Sequence, residues 1–115
     1  MIFSTIPEFD REFKYLLKKW PSLQEDLETL KQFLNSFPRG HTDSVVRISN
    51  LGIKTEVYKV RHFRCKDMKG RGGRSGIRII YVYAPDEEKI EFVEIYYKEK
   101  DDRDCDKDRI KRYYQ

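Results

Sequence analysis

Between Lys66 and Tyr83 the chain reads KDMKGRGGRSGIRIIYVY, a glycine-rich, arginine-loaded stretch that runs straight into alternating bulky apolar residues. Arginine's planar fork matches the oxygens of a phosphate, and glycine lets a backbone approach a ligand closely. Several guanidinium groups on such a loop, beside a rigid strand, suit a polyanionic phosphate ligand better than a packed core. Arg71, Arg74 and Arg78 lie in or just after the glycines, with Lys69 at the loop's start.

Two further groups of residues complete a possible chemistry. Upstream, strict alternation places His62, Arg64 and Lys66 on the strand face opposite Arg61, Phe63 and Cys65. Downstream, Tyr96, Tyr97 and Lys98 end the last apolar run. Metal-free RNA cleavage needs a group to take the 2′-hydroxyl proton, cations for the charge on phosphorus and an acid for the leaving oxygen. Guanidinium, ammonium, phenol and imidazole groups supply all three. Arg74 and Arg78 are the expected phosphate ligands, Tyr96, Tyr97, Lys98 and His62 the candidates for proton transfer, and Arg61, Arg64, Lys66, Lys69 and Arg71 the supporting RNA contacts. A lysine or tyrosine titrates near 10, so as a base near neutrality either would need a neighbouring positive field.

Plainer roles compete with these. A histidine in a strand is more often structural than catalytic, Tyr81 and Tyr83 suit packing with hydroxyls at the sheet edge, and the arginines can position a strand without cutting it. Gly70, Gly72, Gly73 and Gly76 fit neither GxGxxG nor GxxxxGK[ST], so no nucleotide cofactor is expected. Asp101, Asp102, Asp104, Asp106 and Asp108 alternate like a calcium loop but lack its glycine and its closing glutamate, and read instead as a solvated helix start. No metal site is expected.

These residues must be held by a small number of elements. A short strand, Met1 to Thr5, opens the chain. Phe9, Phe13, Leu16, Leu17 and Trp20 then trace one helical face, with Thr5 and Glu8 as a capping box and Pro7 in the first turn. Pro21 interrupts, and Ser22 with Glu25 offers a second capping box before Leu23, Leu27, Leu30, Leu34 and Phe37 form another stripe that stops at Pro38. Strands are expected at Val57–Lys66, Ile77–Tyr83 and Ile90–Lys98, and a last helix from about Asp104 to Tyr114. This order predicts an α+β domain over residues 1–115: an N-terminal helical hairpin on one face of a small antiparallel sheet, the opening strand at an edge, and a short C-terminal helix.

Composition sets the remaining bounds. The 115 residues carry 24 basic and 20 acidic side chains, a net of only +4. The distribution is uneven: residues 54–78 hold nine basic and two acidic residues, and residues 84–108 hold five basic and eleven acidic. A basic block of this kind is an electrostatic footprint for a polyanion, set beside its own acidic counterweight. Two cysteines without paired metal spacing, and no apolar signal segment, lead to the expectation of a cytoplasmic protein with free thiols and no membrane partner.

The order helix, helix, strands, with GRGGRSGIRIIY and EFVEIYYKEKDD on the strands and REFKYLLKKWPSL at the front, resembles the RelE/ParE toxin superfamily. The glycine loop is similar to the HigB-like branch, whose pattern runs approximately G-K-S-G-G-x-R-V-I-Y, and the resemblance extends roughly from Phe9 to Lys100. It implies a RelE-like, microbial-RNase-like fold and a toxin of a type II toxin–antitoxin system: an mRNA endonuclease that works in the ribosomal A site without a metal or small-molecule cofactor, held in check by a cognate antitoxin. By position, Arg78 and Tyr81 match the R-V-I-Y element, Arg74 and Ser75 the basic residue and serine before it, Tyr96 and Lys98 the tyrosine-x-lysine ending, and Arg64 and Lys66 basic residues of the preceding strand. The loop reads R-G-G-R-S-G, one glycine short after the serine, so its register against the pattern is open by a residue. ParE-like members of the superfamily act instead on DNA gyrase, which makes gyrase inhibition, or a non-catalytic RNA- or protein-binding domain, the alternative readings.

Overall fold

The computed structural model describes residues 1–98 and 104–115. Its elements in chain order are β1 (Ile2–Thr5), α1 (Pro7–Lys19), α2 (Leu23–Ser36), a short 3-10 turn (Thr42–Ser44), β2 (Val45–Arg47), β3 (Glu56–Val60), β4 (Ile77–Ala84), a second 3-10 turn (Pro85–Glu87), β5 (Lys89–Tyr97) and α3 (Lys107–Tyr114). The strands form one sheet in the order β1-β5-β4-β3-β2. The domain is α+β, with three helices on a five-stranded open sheet among the described residues.

The sheet is mixed rather than antiparallel. β2 through β5 pair antiparallel, but β1 runs parallel to β5, Phe3 opposite Ile90 and Thr5 opposite Phe92. A parallel pair needs a long crossover, and the helices and the β2–β4 meander between β1 and β5 provide it. The opening strand does take an edge, as its sequence predicts. β2 was not expected from the sequence, because three residues are too few for a recognisable alternation.

Both faces of the sheet are covered, where the sequence suggests one. Tyr58 stacks on Tyr81 (5.4 Å), Tyr81 meets Phe92 edge-on (6.3 Å), and Phe92 stacks on Phe9 of α1 (5.5 Å), so these side chains mark the face turned to α1 and α2. Lys59, Ile80, Glu91 and Glu94 lie on the reverse face. There Lys59 pairs with Asp104 (2.9 Å), Glu94 accepts from the Asp106 amide (2.8 Å), and Glu91 accepts from the Tyr114 hydroxyl (2.6 Å). β4, buried along nearly its whole length, therefore reads IRIIYVYA without polar alternation. A bulge in β5 at Val93, between the pairs Tyr81–Phe92 and Ile80–Glu94, keeps the inward set inward on either side of it.

Neither expected capping box forms. α1 begins after Ile6 with no side-chain cap, its first turn carrying Pro7. Ser22 instead spends its hydroxyl on Asp26 (2.8 Å) and on the amide of Asp67 (2.9 Å), while its own amide donates to Asp67 (2.7 Å). The residue chosen by the sequence as a local cap thus becomes a tertiary tie to the basic segment. In α3 the cap is made: Asp106 accepts from the Arg109 amide at 3.0 Å. Asp106 and Asp108 sit at this helix start as their spacing suggests, whereas Asp101 and Asp102 lie outside the described residues. Among the described residues no helix is long and apolar enough to cross a membrane.

Candidate functional site

The expected strand Val57–Lys66 is shorter than its pattern: its ladder ends at Val60, opposite Val45 of β2 and Ile79 of β4. Beyond Val60 the chain still alternates, Phe63, Cys65 and Met68 buried and His62, Arg64 and Lys66 exposed, but without a neighbouring strand. Side chains of this segment are therefore sorted by packing against α2, not by pleat.

What replaces the ladder is Ser75. Fully buried, its hydroxyl donates to the carbonyl of Phe63 (2.6 Å) and accepts from the amide of Ile77 (3.1 Å). The glycine loop is thereby fastened to the 61–66 segment just where β4 begins. Gly73 lies so close to His62 that an added Cβ would stand 3.3 Å from the histidine Cβ. Gly76 has φ +86°, a conformation that strains other residues, and its carbonyl accepts from the Lys98 amide (2.8 Å). That bond carries the β4–β5 ladder one step past Tyr97 and sets Lys98 beside the start of β4.

The result is a cleft of about 370 Å³ at the ends of β3, β4 and β5, lined by Arg61, His62, Gly73, Arg74, Gly76, Arg78 and Lys98. Arg61, Arg78 and Lys98 all follow the parity of the sheet face turned away from α1 and α2; Arg78 stands opposite Tyr96 in register, and Lys98 follows Tyr96 by two. Arg61, which alternation groups with the inward Phe63, in fact faces the cleft. Its guanidinium is fixed there by two bonds to the carbonyl of Asp43 (2.6 and 3.1 Å). Arg78 donates to the Ile77 carbonyl at 3.4 Å. Among the described residues no carboxylate lines the cleft, and none of Arg61, Arg74, Arg78 and Lys98 forms an ion pair.

Of the proton-transfer candidates, His62 and Lys98 are in this cleft and the two tyrosines are not. Tyr96 is buried, and Tyr97 turns to the opposite face, edge-on to Trp20 (4.9 Å) with its hydroxyl 3.5 Å from Arg71. Both line a separate groove beside α1, with Tyr15 and Trp20. Arg71 belongs with Tyr97 and with the carbonyl of Ser75 (3.4 Å), and Lys69 is exposed at the loop's near end, so neither lines the cleft. Arg64 and Lys66 border a second groove against α2, where Lys66 pairs with Glu25 (3.2 Å) and Arg64 lies within 3.7 Å of the position a Gly72 side chain would take.

Sequence reasoning missed Gly73, Gly76 and the structural use of Ser75. A serine directly before Gly76 and the strand, two residues after Gly73, was the available signal. The thiols of Cys65 and Cys105 are buried, which pushes both up from their ordinary range and away from reactivity. Compared with family models, with curated proteins and with solved structures, the chain matches none of them.

Proposed function

We propose that the protein is a metal-independent endoribonuclease, a toxin of the RelE/ParE superfamily in its HigB-like branch, that cuts mRNA on the ribosome and is neutralised by an antitoxin covering its basic surface. The observation that carries this reading is the cleft in which Arg61, Arg74, Arg78, His62 and Lys98 converge, with no carboxylate among the described residues that line it. Guanidinium groups held on a fixed scaffold favour a phosphodiester and, more strongly, the extra negative charge of its transition state.

In this mechanism Arg74 and Arg78 hold the non-bridging oxygens of the scissile phosphate, and Arg61, locked by Asp43, shapes the third side. The 2′-oxygen attacks phosphorus as its proton passes to a base; the bond from phosphorus to the 5′-oxygen breaks, and that oxygen takes a proton from an acid. The products are a 2′,3′-cyclic phosphate and a 5′-hydroxyl. Imidazole is the side chain suited to move protons near neutrality, so His62 takes the base role and Lys98 the acid or electrostatic one.

Inducible expression without an antitoxin, followed by mapping of new 5′ ends on translated and untranslated copies of one mRNA, tests the proposal. New ends on the translated copy only, lost in Arg78→Ala, are expected. Growth arrest with intact RNA would move the target to DNA gyrase and overturn the nuclease.

A further inference from the structure

Arg61 is held at both ends by one short turn. The carbonyl of Ser44 accepts from the Arg61 amide (2.8 Å) and, at 3.4 Å, from that of His62. The carbonyl before it, of Asp43, accepts from Nε and Nη2 of the guanidinium (3.1 and 2.6 Å). Two of the five guanidinium N–H groups are used there, and the Nη1–Nη2 end is left for the cleft. That end is a fork that meets two oxygens of one phosphate. Consecutive carbonyls thus aim one fork, and what aims the carbonyls is the turn Thr42–Ser44.

The turn is strained at its first residue. Thr42 has φ +64°, in the left-handed region that β-branched residues seldom enter. Its side chain is exposed, so no burial of its own keeps it there. The neighbours do. Gly40, at φ +84°, passes so close to Val45 that an added Cβ would stand 2.4 Å from the valine Cβ. His41 stacks on Phe37 (4.9 Å), and Ser44 Oγ donates to the His41 carbonyl (3.3 Å). Backbone strain persists only where the surroundings over-determine it, and it gathers at sites whose geometry it sets. We propose that Thr42 is a positioning residue of the cleft: its left-handed backbone turns the Asp43 and Ser44 carbonyls onto Arg61, so that the fork is aimed before a phosphate arrives. A fork aimed in advance needs no reorganisation as charge builds on the phosphorus, so the effect falls on kcat and not on KM. The catalytic part of this role rests on the reading of the cleft as a phosphate site, whereas the aiming of Arg61 does not.

Two readouts keep these apart: cleavage of ribosome-bound mRNA, as kcat and KM, and exchange of the Arg61 Nε proton with water, followed by heteronuclear NMR. Thr42→Pro sets φ near −65°, about 130° from its native value, at an exposed position. It should lower kcat about 100-fold with KM little changed, match Arg61→Ala, and add nothing further when combined with it. The Nε proton should then exchange about ten-fold faster. Thr42→Gly and Thr42→Asn enter the left-handed region readily and should restore both the rate and the slow exchange. Arg61→Lys keeps the charge without the fork and should lose as much as Arg61→Ala, a test that stands whether or not Thr42→Pro folds. A folded Thr42→Pro protein with the wild-type rate and a slow Nε proton, an Arg61→Lys protein with the wild-type rate, or a wild-type Nε proton that exchanges as fast as in free arginine overturns the proposal. A wild-type protein that does not cleave, but whose slow Nε proton is released by Thr42→Pro, overturns the phosphate reading and upholds the aiming of Arg61.

Discussion

The hydroxyl of Ser75 and the carbonyl of Phe63, twelve positions apart in sequence, meet at 2.6 Å in the buried layer beneath the cleft. This one bond joins the glycine loop to the segment that carries Arg61 and His62. The β3–β4 ladder ends at the pair Val60–Ile79, one residue short of Arg61, and this bond carries the join past it to the segment of His62 and to the glycine loop. Ser75→Ala leaves the Phe63 carbonyl and the Ile77 amide without their buried partner, and should cost about 1–3 kcal/mol of stability. Urea unfolding measures the loss; an unchanged midpoint would show that the bond is not structural. RNA cleavage should fall along with it.

Arg74→Ala and Arg78→Ala should each lower cleavage by a factor of about 100 or more, the usual effect of removing a group that stabilises transition-state charge. Both side chains line the cleft without ion-pair partners among the described residues, so melting temperatures should stay close to wild type. Lys69→Ala, outside the cleft, should change cleavage little. A Lys69→Ala defect as deep as that of Arg78→Ala would move the site along the loop.

Proton transfer should divide His62 from the tyrosines. His62→Ala should reduce cleavage, whereas Tyr97→Phe should keep wild-type activity, its ring packed on Trp20 away from the cleft. A Tyr97→Phe protein without activity would assign the base to the phenol instead.

β1 pairs with β5 only as far as Phe92, and the rest of that edge is sealed by an ion pair. Glu12 of α1 accepts twice from Arg109 of α3 (both 2.9 Å) and once from the Ile95 amide (3.3 Å), while Arg109 also donates to the Val93 carbonyl (2.9 Å). Glu12→Ala takes the closer of two carboxylates from a largely buried guanidinium, leaving Asp106 at 3.8 Å, and should destabilise by about 2 kcal/mol, read in urea. Glu12→Gln, which keeps the acceptor oxygen, should recover part of that.

The far end of the sheet should be acid-sensitive. Arg39, stacked over Tyr83, holds Glu56 in two bonds (2.8 and 3.0 Å), and the Tyr58 hydroxyl donates a third (2.7 Å). Arg39, then Tyr58, keep the Glu56 carboxyl below its ordinary value near 4.5. Burial, and then that carboxylate, push Tyr58 up to about 12. A depressed carboxyl contributes stability that is complete above its unfolded pKa and is lost as pH falls through the folded one. The melting temperature should therefore drop below about pH 4.5, and Glu56→Gln should lie below wild type at pH 7 yet converge with it at pH 3. Parallel curves at both pH values would remove Glu56 from the acid transition.

The elements and the location of the basic site were determined by the sequence itself. Helical stripes from Phe9 and from Leu23, and the apolar runs of β4 and β5, are periodic signals long enough to stand without tertiary help, and the arginines of the glycine loop mark the site by composition alone. The parallel pairing of β1, the three-residue β2 and the covering of both sheet faces depended on tertiary contacts, as did the selection of residues in the cleft. Alternation separated Arg61 from His62, and position at the end of the last strand grouped Tyr97 with Lys98. The structure reverses both: past Val60 no ladder holds the pleat that would part Arg61 from His62, whereas along β5 the pleat does hold and turns Tyr97 and Lys98 to opposite faces. Past Val60 direction is set by what each side chain can bury against, Phe63 against α2 and Ser75 beneath the carbonyl of Phe63.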